Sequence, residues 1–108
     1  MQHKPPEADW KTFRELREVA LQRFSQRILD EVERVTQHVQ KTAHERYVDI
    51  FRLVRARDRE MAAAFNDPRR SQMVAQLAAI YAHDLLQSDE FARFSDSTRD
   101  TVKFLAEH

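Results

Sequence analysis

The chain has 108 residues, 42% hydrophobic and 33% charged, with eighteen basic side chains balancing eighteen acidic ones, no cysteine and no glycine. Disulfide scaffolds, thiol chemistry and glycine-rich phosphate loops are thereby excluded, and a net charge of zero supplies no global field for nucleic acid or an anionic membrane. A sheet would have to turn without glycine, so the expectation is a single all-α domain, cytoplasmic, with no apolar run near the ~18 residues of a membrane span.

Residues 1–8, with Pro5 and Pro6 and no apolar periodicity, read as a disordered arm ahead of a helical domain over 9–108. Thr12 and Glu15 fit a capping box, which opens a helix near residues 9–12. No proline follows until Pro68. Trp10, Leu21, Val32, Ala43, Val54 and Phe65 are all apolar at eleven-residue spacing, close to three turns of a straight helix. The stripe predicts one very long N-terminal helix over about 10–65, roughly 80 Å in length.

One place argues for a break. Thr42 and Glu45 form a second capping box, and residues 36–46 are the least apolar stretch of the rod. A break there would give two antiparallel helices. Residues 37–41 hold no glycine, asparagine or proline with which to turn, so continuity is the expectation.

Asn66, Asp67 and Pro68 mark the clearest boundary, with Asn66 ending the long helix, Asp67 capping the next and Pro68 in its first turn. The second helix is expected to reach about Gln87 with Met73, Leu77, Ile80, Tyr81 and Leu85 inward. A short turn then carries Phe91 and Phe94 into the core, and a last helix opens at a Ser97–Asp100 capping box and ends near Ala106, with Val102 and Leu105 inward.

These two or three shorter helices, about 30 and 15 Å long, fold back over only the C-terminal half of an 80 Å rod. The stripe Trp10, Phe13, Leu16, Leu21, Phe24, Ile28, Val32, Val35 and Val39 is then bare. Leaving six large apolar side chains wet forgoes on the order of 10 kcal/mol, which rivals the stability of a whole domain. The expectation is a homodimer through this stripe, completing a helical bundle, in a non-enzymatic adaptor, regulator or assembly factor with a protein partner and no cofactor.

Two alternatives rest on charged and titratable groups. Arginines crowd the segment 52–70, and Arg55, Arg59, Arg69 and Arg70 are the candidates for binding phosphate or nucleic acid. The helix dipole accounts for cations at the end of the rod but disfavours Arg69 and Arg70 at a helix start. A solvated face is the favoured reading, and nucleic acid is not the favoured partner. His38, His44 and His83 are the candidates for a helical-bundle enzyme or metal carrier, but His38 and His44 are six apart on different helix faces and no Glu-x-x-His occurs. The carboxylates Asp30, Glu31 and Glu33 have Arg27 and Arg34 within helical reach, which ordinary ion pairing explains. The abundance of arginine over lysine reads as a property of a GC-rich genome.

Overall fold

The computed structural model describes residues 5–108 and is all-helical, with no strand among them. Helix α1 spans Glu7–Thr36, α2 Ala43–Phe65, α3 Met73–Ala82, the single turn α4 Ser88–Phe91, and α5 Asp96–Glu107; a 3-10 turn, Arg70–Gln72, leads into α3. The arm expected over 1–8 lies partly outside the described residues. Within them, Pro5 is buried and Glu7 already opens α1, so Thr12 is inside the helix rather than capping it.

The expected 55-residue rod is two helices. The chain bends at 37–42, where Thr42 and Glu45 form the capping box in full: the Thr42 hydroxyl accepts from the Glu45 amide at 3.1 Å, and the Glu45 carboxylate accepts from the Thr42 amide at 2.9 Å. The missing glycine is replaced from outside the turn. Arg46 donates to the Thr36 carbonyl at 2.6 Å, satisfying a helix end that an αL residue would otherwise close.

The same device recurs. Arg17 of α1 donates to the carbonyl of Phe65, the last residue of α2, at 2.5 Å. Beyond α3, Arg27 donates to the carbonyls of His83 and Asp84 at 2.5 and 2.6 Å, and Arg23 to that of Leu85 at 2.9 Å. A guanidinium carries five donors in a planar fork and stays charged, so it suits the negative end of a helix dipole. Arg17 and Arg46 thus satisfy the ends of α2 and α1 in a chain that has no glycine to close them, and Arg23 and Arg27 hold the loop that follows α3.

Helix α3 stops at Ala82, five residues short of the expected Gln87. Asp84 takes the left-handed conformation (φ 56°) while the Leu85 amide reaches back to the Ile80 carbonyl and the Asp84 amide to that of Tyr81, a Schellman closure with aspartate where glycine is usual. Asp67 (φ 50°) makes the other left-handed turn, so it does not cap a helix, and Pro68 precedes the 3-10 turn instead of entering α3. The cap of α5 is Ser95, two residues before the expected Ser97.

The bend decides the packing. Once α2 returns along α1, Phe65 and α3 lie beside the N-terminal half of α1. Phe13, Leu16, Ala20 and Phe24 are buried in one cluster with Ala64, Phe65, Met73, Leu77, Ile80, Leu85, Phe91, Phe94 and Val102. Helix α3 is the centre of this core, packed on α5, α2 and α1. Leu105 of α5, expected inward, is exposed instead. A buried polar knot closes the far side. The Asp9 carboxylate accepts from the Ser95 amide and hydroxyl at 3.0 and 2.6 Å and from the Thr98 hydroxyl at 2.6 Å, fastening the start of α1 to the start of α5.

Candidate interaction face on the α1–α2 hairpin

The core draws on α1 only as far as Ile28 and on α2 only from Met61 onward. The rest of the hairpin extends from the globular end, which gives principal extents of 53 × 27 × 22 Å and a radius of gyration of 16.6 Å, against about 13 Å for a compact chain of this length. Its two helices are held together by the half-buried Ile28, Val32 and Val35 of α1 and Ile50, Leu53 and Met61 of α2. A forked ion pair joins them, in which Arg57 Nε and Nη2 each donate to Glu31 at 3.1 Å. That fork holds the Arg57 guanidinium above the ordinary arginine value, and the hydrogen bond to Glu31 is the main cause.

The outer surface of α2 carries an apolar stripe where a solvated helix would be polar. Tyr47 is 65% exposed, Phe51 55% and Val54 45%. Spacings of four and three residues put them in one stripe. Together with Ile50, Arg55 and Asp58 they line a shallow open depression. Helical phase turns Leu29 of α1, 61% exposed, toward the same flank of the hairpin. On the side of the stripe away from α1 run Arg52, Arg55 and Arg59, which line an adjoining depression with Phe51. Among the described residues these three have neither ion pair nor hydrogen bond. Arg55 rests over the Phe51 ring at 6.0 Å, and Arg52 adds only a through-space charge to Asp49, whose carboxylate Lys41 holds at 2.6 Å. The Lys41 hydrogen bond is also the main reason that Asp49 stays below the ordinary aspartate value.

The expected site residues separate into distinct places. Of the stripe foreseen as a dimer interface, Phe13, Leu16 and Phe24 are buried in the chain's own core, and Trp10, Leu21 and Ile28 pack against that core. They are not a free face, because the bend brings α2, α3 and α5 over the half of α1 that a straight rod would leave bare. Val32 and Val35 are half-buried on the hairpin, and Val39 stands exposed in the turn. The candidate anion site is likewise divided. Arg69 pairs with Asp67 at 2.7 Å and Arg70 with Glu7 at 2.6 Å, Arg70 also donating to the Pro5 carbonyl, while Arg55 and Arg59 point outward from α2.

The histidines are also apart. His38 and His44 are exposed, with the His44 ring 6.0 Å from Tyr47, and His83 lies against Phe24 at 5.1 Å. Among the described residues no three His, Asp or Glu side chains are grouped to hold a metal ion. No helix among them is long and apolar enough to cross a membrane. Comparison with protein-family models, curated proteins and solved structures returns no match.

Tyr47 and Phe51 are site residues that the sequence did not single out. Their signal is an i, i+4, i+7 apolar track that shares Val54 with the eleven-residue stripe and diverges from the half-buried Ile50, Leu53 and Met61, and a continuous rod gives no reason to separate the two.

Proposed function

We propose that this chain is a non-enzymatic helical interaction protein that docks a protein partner on the outer face of α2. The observation that carries this reading is the exposure of Tyr47, Phe51 and Val54 in one stripe. Burying a large apolar side chain is worth about 1.5–3 kcal/mol, so the stripe gains from a cover that the chain's own helices do not provide. Tyrosine, phenylalanine and arginine are also the residue types enriched where protein interfaces concentrate their energy. The globular end acts as a base, and the hairpin presents the face clear of it.

A photo-reactive residue placed at Phe51 in the full chain, in cells, tests this. Specific protein adducts are expected from position 51 and none from Gln26, which is also solvent-exposed, on α1, and bonded only to Asp30. An adduct of twice the chain mass would identify the partner as a second copy. Absence of adducts at 51, or an equal pattern at both positions, would sink the reading.

A further inference from the structure

We infer that the partner segment is an acidic amphipathic helix, seated along the Tyr47–Phe51–Val54 stripe with its carboxylates on Arg52, Arg55 and Arg59. This rests on the proposed docking role of α2 and names the chemistry of what docks. At about 100° per residue, Tyr47, Phe51 and Val54 fall within an arc of about 60°, and Arg55, Arg59 and Arg52 follow immediately on the side away from α1. An incoming helix therefore meets an apolar floor bordered on one side by a rail of guanidiniums. The floor from Tyr47 to Asp58 is about 16 Å long, which matches three turns of helix. Asp58 is the one carboxylate lining the apolar depression, so the face as a whole remains positive.

The rail is what selects the occupant. Most of the other guanidiniums are engaged: Arg17 and Arg46 bond the last carbonyls of α2 and α1, Arg23 and Arg27 bond carbonyls of the loop after α3, and Arg57, Arg69, Arg70, Arg93 and Arg99 pair with acids. Arg14, which lies over the Trp10 ring, and Arg34 stand singly on α1 without an ion pair or hydrogen bond among the described residues. Arg52, Arg55 and Arg59 sit side by side without such partners among the described residues, beside the exposed apolar track of α2.

A second copy does not fit this arrangement. In an antiparallel two-fold pairing, like flanks face each other and arginine rail would meet arginine rail. In a parallel pairing the rail would meet the flank that α1 already covers. A nucleic-acid backbone would engage the rail but leave Tyr47, Phe51 and Val54 wet, and phosphate contact does nothing for them. Only a partner that is apolar on one face and anionic on its flank satisfies both.

The test uses the purified full chain and two labelled helical peptides of about 18 residues, five turns. Both carry the same leucine seam, one with glutamate flanks and one with lysine flanks, and binding is followed by fluorescence anisotropy. The acidic peptide is expected to bind saturably and at least about tenfold more tightly, with the gap narrowing as salt rises. Phe51→Glu should abolish binding of the acidic peptide while the thermal melt stays in place. Arg52→Glu/Arg55→Glu/Arg59→Glu should reverse the preference toward the lysine peptide, an outcome that mere unfolding cannot mimic. Equal affinity for the two peptides, no saturable binding, or a preference untouched by the triple reversal overturns the inference. So does displacement of the acidic peptide by a duplex oligonucleotide at lower concentration, or a doubled mass by light scattering that Phe51→Glu abolishes. If the charge preference fails while position 51 still yields protein adducts, the partner chemistry is wrong and the docking reading stands. If both fail, both fall.

Discussion

Glu90 shows how much one side chain holds in this fold. Its carboxylate takes Arg23 Nη1 at 2.6 Å and Nη2 at 3.0 Å, and also accepts from the Gln87 amide at 2.7 Å, so a single group caps α4 and ties it to α1. The Arg23 hydrogen bonds are the largest cause that holds Glu90 below the ordinary glutamate value. The lowered native value means that folding is favoured by the ionised form. The contribution is complete above the ordinary pKa of about 4.3 and is lost as pH falls through the lowered native value. Glu15, Glu45 and Asp49 are lowered too, by Arg93, Thr42 and Lys41, so acid alone would not single out Glu90. Comparison with Glu90→Gln isolates it. Thermal melts from pH 7 to pH 2 should show the wild type more stable at neutral pH, with the gap closing below pH ~4; parallel profiles would mean that the Arg23 fork contributes nothing to stability. None of this was readable from the sequence, because residues 23 and 90 are brought together by the bend at 37–42 and the closure after α3.

At the scale of elements, that bend is the decisive feature. The Thr42–Glu45 box was legible, and so were the all-helical class, the boundary at 66–68 and the inward Met73, Leu77, Ile80, Phe91, Phe94 and Val102. What could not be read was Arg46 reaching the Thr36 carbonyl, since a turn without glycine, asparagine or proline looks closed until a donor from the next helix is seen to open it. Two effects hold the hairpin bent, and their sizes differ. An N-cap hydroxyl is worth about 1 kcal/mol. The half-buried side chains between α1 and α2, from Ile28 and Val32 to Ile50 and Met61, together exceed this several times over even at about 1 kcal/mol each. Thr42→Ala is therefore expected to cost about 1 kcal/mol in denaturant unfolding and leave the hairpin closed. A small-angle scattering profile lengthened toward an 80 Å rod would show instead that the cap, and not the packing, bends the chain.

For the whole molecule, the bend converts a stripe that looked like an interface into a core, and moves the exposed apolar surface from α1 to α2. The two faces make opposite demands on phenylalanine. Phe24 is buried against Phe65, their ring centroids 6.2 Å apart, with the His83 ring beside it. Phe24→Ala removes those contacts and leaves a cavity, a change that costs about 3–5 kcal/mol, or more than ~12 °C of melting temperature for a domain near 100 residues. Phe51 is more than half exposed and stands outside the core cluster. Phe51→Glu is expected to stay within about 0.5 kcal/mol of the parent, as surface substitutions do. Melts of the two variants, with mass followed by light scattering across a concentration series, separate the alternatives. Were the Trp10–Phe24 stripe an interface between copies, Phe24→Ala would release monomers of undiminished stability and the wild-type melt would rise with concentration. With that stripe inside a single chain, Phe24→Ala lowers the melt at every concentration and Phe51→Glu leaves it where it was. A Phe51→Glu chain that unfolds would place the α2 stripe inside the fold rather than on its surface.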